Sequence, residues 1–202
     1  MQTLYSTRPN LLLGFHGCDK QLAEDVVLGK TTLKPSTNDY DWLGWGIYFW
    51  ENNLERAQAW ANEAFARGRI RKPAVLGAVI DLGFCLDLMD AEGLGVVKNA
   101  YEALVISSKR EGKSVPKNVN LKGSSGNVLR NLDCAVIQAV HKSQKTMSLR
   151  PYDSVRSMFQ EGEQLYEGAG FRSKNHVQIC ICNPNCIKGY FLPRAMDEQY
   201  PT

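Results

Sequence analysis

Apolar residues recur along the chain in short blocks, and the period of each block predicts the element it forms. Leu11 to Phe15 is a continuous apolar run broken at once by His16, which predicts a short buried strand ending in His16-Gly17. Lys20 to Leu28 changes to helical spacing, with Asp19 placed to cap it and Gly29 beyond its end. From Thr31 to Trp45 the residues Pro35, Ser36, Asn38, Asp39, Asp41 and Gly44 predict a loop. Gly46 to Trp50 reads as a strand. An alanine-rich helix follows from about Leu54 to Ala66 and ends near Gly68.

A basic stretch, Arg67 to Lys72, is closed by Pro73, and Ala74 to Asp81 is the strongest strand pattern in the chain. Asp90 to about Arg110 has helical spacing. Glu111 to Asn127 is rich in glycine, serine and lysine, which predicts an exposed insertion at about 111–127 within one domain spanning 1–202. Leu132 to Val140 suits a buried helix or a strand, the helix being preferred. Asp153 to Phe171 predicts a strand, then turns at Gly162, Gly168 and Gly170. Two final strands, Val177 to Cys182 and Ile187 to Leu192, are joined at Asn183-Pro184-Asn185. Short strands mixed irregularly with helices, without a regular βαβ beat, place the chain in the α+β class. No Gly-x-Gly-x-x-Gly follows a strand and no Gly-x4-Gly-Lys-Ser/Thr occurs, so Rossmann and P-loop nucleotide sites are excluded.

Composition narrows the picture further. A content of 44% hydrophobic and 22% charged residues is that of an ordinary globular chain. No apolar run reaches the ~18 residues of a membrane span. Met1 to Asn10 lacks the basic-then-apolar layout of a secretion signal, so a soluble cytoplasmic protein is expected. A net charge of +3, from 24 basic and 21 acidic residues, is too small to announce a nucleic-acid binder. The six cysteines do not read as a disulfide framework in a chain long enough to bury its own core. Cys180, Cys182 and Cys186 form C-x-C-x3-C downstream of His176. Strand alternation, however, sets Cys180 and Cys182 on one face with Gln178, whereas a structural zinc site wants cysteines paired in a turn. Free thiols, buried or half-buried, and no bound metal are expected.

Three segments carry the candidate chemistry: Gly14-Phe15-His16-Gly17, then Gly44-Trp45-Gly46-Ile47-Tyr48-Phe49 ahead of the alanine-rich helix, then Gln178-Ile179-Cys180-Ile181-Cys182. Taken singly, each has a plain reading. His16 suits a polar loop residue, Tyr48 core packing, and Gln178 an edge-strand side chain. In this order and spacing they resemble the three motifs of the ADP-ribosyltransferase superfamily. The similarity is closest to its His-Tyr-Glu branch, which includes the poly(ADP-ribose) polymerase catalytic domains. There one strand ends in His-Gly, Gly-x-Tyr-Phe opens onto a helix, and a late strand begins with Glu or, in some bacterial subfamilies, Gln. The likeness spans about residues 10 to 192.

The resemblance implies a split mixed β-core flanked by helices, NAD as co-substrate and no metal. By likeness, His16 binds a ribose hydroxyl, the Gly17 backbone holds the nicotinamide amide, and Tyr48 stacks on the nicotinamide ring. Trp60 offers an opposing face. The loop Thr31–Leu43 matches the family's donor loop; its Asp39-Tyr40-Asp41-Trp42 either closes on NAD, with Asp39 as a ligand, or caps the next strand. Gln178 keeps a hydrogen bond to the reacting ribose but lacks the glutamate charge that stabilises a cationic sugar. Glu161 or Glu163, where the family places its acceptor loop, either supplies that charge or belongs to a solvated turn. The expected activity is mono-ADP-ribosyl transfer from NAD to a macromolecule, protein or RNA/DNA. A non-catalytic NAD or ADP-ribose binding module and an NAD glycohydrolase are the alternatives. Arg67–Lys72 and Lys109–Lys122 favour a phosphate-bearing acceptor if they converge beside the cleft. Likeness to bacterial effector, toxin–antitoxin and phage-defence enzymes implies an antitoxin or other regulatory partner protein, and no membrane partner.

Overall fold

The computed structural model describes residues 11–119 and 129–200. In chain order its elements are β1 (Leu12–Asp19), α1 (Lys20–Val27), β2 (Ile47–Glu51), α2 (Leu54–Ala66), β3 (Pro73–Ile80), β4 (Cys85–Asp87), α3 (Ala91–Arg110), α4 (Asn131–Thr146), β5 (Ser154–Phe159), β6 (His176–Ile181) and β7 (Ile187–Phe191). A 3-10 turn at Pro184–Cys186 separates the last two strands. The strands form one mixed sheet in the order β4-β5-β6-β2-β1-β3-β7, antiparallel except for the pair β4–β5. Four helices flank it, which makes the fold α+β.

Alternate residues of a strand face opposite sides of a sheet, and neighbours in β2 accordingly join different cores. Ile47 and Phe49 belong to the largest cluster, with Ala23 and Val26 of α1, Leu76 and Ile80 of β3, and Ile179 and Ile181 of β6. Trp50 turns the other way and packs with Phe15, Val75 and Ala57 of α2. A third cluster joins Val155 and Cys180 to Ile137 and Val140 of α4. Burying a Leu, Ile or Phe side chain contributes about 1.5–3 kcal/mol. Among the described residues the first cluster holds thirteen buried residues against six and four in the others, so it is the largest single source of hydrophobic stabilisation.

Ile187 and Tyr190 of β7 also pack against that cluster. The short segment after β6 carries the chain to the far edge of the sheet, so the two final strands are not neighbours. The sheet is thinnest at its middle. β1 pairs with β3 over eight residue pairs, but with β2 over two, Gly14–Glu51 and Phe15–Trp50. Beyond Phe15 the two central strands part.

Local chemistry explains the element ends. Asp19 caps α1 by accepting from the Gln21 N–H at 3.1 Å. Its second oxygen accepts from the N–H groups of Arg71 and Lys72 at 2.8 and 3.1 Å, which pins the basic linker to the start of α1. These backbone donors hold the Asp19 carboxyl below its usual range. Asn53 caps α2 through the Arg56 N–H at 2.9 Å. The segment Leu132–Val140 is helical, as preferred. The three-residue strand β4 was not expected, since so short a run shows no period. Of the expected insertion, residues 111–118 are coil; positions 120–128, like 1–10, lie outside the described residues. Among the described residues no helix is long and apolar enough to cross a membrane.

Candidate active site

A cleft of about 610 Å3 opens on the α2 side of the sheet, where β1 and β2 part, and reaches Arg130 before α4. His16, Gly17, Tyr48, Trp60, Glu161 and Gln178, predicted from separate stretches of sequence, all line it. Asp39 and Glu163 do not. Asp41 accepts from the Asn38 N–H at 2.9 Å, and in the turn so formed Asn38, Tyr40 and Asp41 face the cleft. Asp39 lines instead a groove of about 440 Å3 beside Trp45 and Gln138. Glu163 is exposed, with its backbone bonded to Ser173 within its own loop. A larger groove, about 690 Å3, lies between α1, α2 and the segment after β7. Among the described residues its lining holds no aromatic ring and no convergent set of reactive groups, so the smaller cleft is the candidate site.

His16 sits at the point of divergence. Its Nδ1 is 2.8 Å from the carbonyl oxygen of Tyr48, so that nitrogen carries the proton and donates. Burial lowers the imidazole pKa below 6.5, and the neutral ring keeps a bare lone pair on Nε2. Gly17 follows, pressed against α2. A Cβ there would stand 2.5 Å from the Ala57 carbonyl oxygen and 3.0 Å from the Trp60 ring. Only glycine lets the helix sit this close to β1.

Tyr48 is fixed through its hydroxyl. It donates to the Gly44 carbonyl at 2.7 Å and accepts from the Leu43 N–H at 3.0 Å. Burial raises its pKa far above 10, so the hydroxyl serves as an anchor and the ring is the part left for a ligand. Gly44 makes the anchor with φ +80°, a conformation that favours glycine.

Gln178 is held by a residue that the motif does not contain. The Trp42 Nε1–H donates to Gln178 Oε1 at 2.6 Å, which assigns the amide NH2 as the group left for the cleft. Trp42 packs edge-on against Phe159 at 4.9 Å, and the Arg130 guanidinium lies 5.3 Å from the Trp42 ring and 4.6 Å from that of Phe159. Indole, phenyl and guanidinium form one wall.

The cleft lining also contains a buried arginine. Arg56 of α2 is 9% exposed and donates from Nη2 to Glu161 at 2.7 Å. Its Nε and Nη1 are buried without a hydrogen-bond partner among the described residues, as are Trp50 Nε1 and His176 Nε2. The four atoms belong to one neighbourhood: Arg56 lies 5.7 Å from the Trp50 ring, and Trp50 lies 6.2 Å from His176. His176 itself stacks on Phe159 at 5.5 Å, and its Nδ1 is 2.6 Å from the Lys174 carbonyl. Burial lowers its pKa as well.

Sequence reasoning missed Arg130, Phe159 and Arg56 as parts of this site, and His176 as the ring packed against Phe159 and Trp50. Two of them had a readable signal. Arg56 and Trp60 are one helical turn apart on α2, and Phe159 shares the strand parity that faces Gln178 across the β5–β6 ladder. The fused role of Trp42 had none, because 136 positions separate it from Gln178.

The six cysteines stand as thiols and not in disulfides, four buried and two half-buried. Cys182 Sγ lies 3.8 Å from His141 Nε2. Contact with Cys180 and with His141 draws the Cys182 thiol down, while burial raises Cys180. Among the described residues no three His, Cys, Asp or Glu side chains cluster to hold a metal.

No family model matches the chain, and no solved structure matches it. The chain is similar to the uncharacterized protein MJ0359 of Methanocaldococcus jannaschii, at 25% identity over 207 residues, covering 91% of this chain and 89% of the relative.

Proposed function

We propose that the chain is a NAD-dependent mono-ADP-ribosyltransferase of a His-Tyr-Gln type, with an ADP-ribosyltransferase-like fold. The reaction would break the nicotinamide–ribose bond, release neutral nicotinamide, and join ADP-ribose to a nucleophilic atom of a macromolecule that gives up a proton. The observation that carries this reading is the meeting of His16, Tyr48 and Gln178, from three different strands, in one cleft large enough for a dinucleotide.

Each residue has a distinct task. The bare Nε2 of His16 accepts a hydrogen bond from a ribose hydroxyl. Gly17, beyond the end of the β1–β2 ladder, lets a carboxamide approach the backbone. The Tyr48 ring, immobilised at its hydroxyl, presents a face for the nicotinamide, with Trp60 also in the cleft. Gln178, aligned by Trp42, donates to the ribose whose bond breaks. A glutamine there offers a dipole where a carboxylate would offer full charge, which favours slow single transfer over chain elongation. Glu161 is a carboxylate in the same cleft, with its charge countered by Arg56.

That same Gln178 also favours a second reading, a non-catalytic NAD or ADP-ribose binding module. Nicotinamide release from NAD separates the two, and a protein that binds NAD without releasing nicotinamide is the module. Transfer of adenylate label from NAD to macromolecules in a cell lysate then separates a transferase from an NAD glycohydrolase.

A further inference from the structure

We propose that the acceptor docked at this cleft is a single-stranded nucleic acid; the acceptor role rests on the transferase reading above, whereas the docking surface does not. The cleft is lined by Lys34, Arg56, Arg67, Arg69, Arg130 and Arg172 against the carboxylates of Asp41, Glu63 and Glu161. That leaves a surplus of three positive charges in one cleft. A NAD pyrophosphate answers only part of it. Lys34 and Arg69 are exposed and form no ion pair among the described residues, and Arg67 meets Glu63 only at 3.7 Å.

The cleft wall continues into the loop between β5 and β6. Lys174 binds Glu63 of α2 at 3.0 Å and ties this loop to the cleft. A bridge between Gln164 and Arg172 folds the loop back on itself. The Leu165 N–H donates to the Phe171 carbonyl at 3.2 Å, so Leu165, Tyr166 and Phe171 belong to one small fold of chain. They are 58%, 62% and 63% exposed. Two aromatic side chains thus stand in water on the same loop as Arg172 and Glu161, both of which line the cleft.

Aromatic faces interleaved with cations are the surface that single-stranded nucleic acid requires. The bases stack on the rings while arginine and lysine track the phosphates. A duplex keeps its base faces covered and gains nothing from Tyr166 or Phe171. A protein acceptor has no chain of phosphates to answer the exposed cations Lys34, Arg67 and Arg69. In the transfer step, a nitrogen or oxygen of the nucleotide bonds to the ribose carbon as nicotinamide leaves with the electron pair of the broken bond, and the nucleotide's proton passes to solvent.

The test measures fluorescence anisotropy of labelled single-stranded RNA and DNA of about 20 nucleotides, with the matching duplexes as controls. Nicotinamide release and label transfer from NAD to the same oligonucleotides are followed in parallel. Single strands are expected to bind better than duplexes, with affinity falling roughly tenfold between about 50 and 200 mM salt. Arg67→Ala with Arg69→Ala should flatten that salt dependence. Tyr166→Ala with Phe171→Ala should weaken single-strand binding roughly tenfold, with the salt slope and nicotinamide release kept. Nicotinamide release without single-strand binding, or with label found only on protein, overturns the acceptor assignment and leaves the transferase reading standing. Single-strand binding with no nicotinamide release overturns the transferase reading, and the acceptor role falls with it.

Discussion

Two buried arginines on opposite faces of one sheet have nearly the same exposure, 8% for Arg156 and 9% for Arg56, and opposite surroundings. Arg156, on the α1 side, is saturated. Its Nε and Nη2 bind the two oxygens of Glu51, and its Nη1 donates to Asp87 at 3.0 Å. Arg56, on the cleft side, binds one carboxylate oxygen and leaves Nε and Nη1 idle beside Trp50 and His176. An unsatisfied buried donor costs about 1–3 kcal/mol, so a structure under selection for stability alone would pair it. The contrast separates an arginine held at three nitrogens by two carboxylates from one held at a single nitrogen by one carboxylate.

Breaking each arginine measures that difference. Arg156→Leu removes the guanidinium that bridges Glu51 and Asp87, and should cost about 3–5 kcal/mol in urea unfolding. Arg56→Leu strands only Glu161, whose side chain is 31% exposed, and removes two unsatisfied donors. Its stability cost should be about 1 kcal/mol or less. Equal losses in the two variants would show that pairing does not distinguish the faces.

Activity should show the reverse pattern. His16→Ala and Tyr48→Ala remove groups whose contacts change little during reaction, so each should raise KM for NAD by roughly 10-fold to 100-fold. Gln178→Ala should lower kcat by about tenfold with a small change in KM, because its contact strengthens as charge develops on the ribose. Gln178→Glu tests the charge itself. The Trp42 N–H can still donate to the new carboxylate, and kcat should rise if a cationic sugar forms. A full kcat for Gln178→Ala in nicotinamide release would remove that residue from the chemistry and leave Glu161 as the better candidate.

The α1 side was the more legible of the two faces in the sequence. Its strands carry uninterrupted or alternating apolar residues, and its helix has a cap and a stop, so Ala74–Asp81 and Lys20–Leu28 were readable from local pattern. The ion triad was not, because Glu51, Asp87 and Arg156 come from β2, β4 and β5 and meet only through the strand order. On the cleft side the ordered motifs located His16, Tyr48 and Gln178, since each is a short local signature. The walls were hidden. Trp42 to Gln178 and Arg56 to Glu161 are pairings across more than 100 positions, which no period of 2 or 3.6 encodes. Asp39 was misplaced for a local reason, as the Asn38–Asp41 turn faces its two neighbours into the cleft.

The smallest expected effect is a pH dependence that belongs to the cleft side. Burial lowers the pKa of both His16 and His176 from 6.5. Above about pH 6.5 both rings are neutral in the folded and unfolded chain, and their contribution to stability is complete. As pH falls below that value the unfolded chain takes up protons that the folded chain refuses, so stability declines until the folded pKa values are passed. Cys182 acts in the same direction, because its thiol is drawn down by Cys180 and His141, so the measurement belongs in a Cys182→Ser background. There, His176→Phe keeps a ring against Phe159 and Trp50 while removing one titrating group. Urea unfolding at about pH 7.5 and 5.5 should show a smaller loss of stability on acidification in this variant than in its parent. Identical losses would mean that the buried ring of His176 does not resist protonation, and that the cleft floor is wetter than its unpaired atoms suggest.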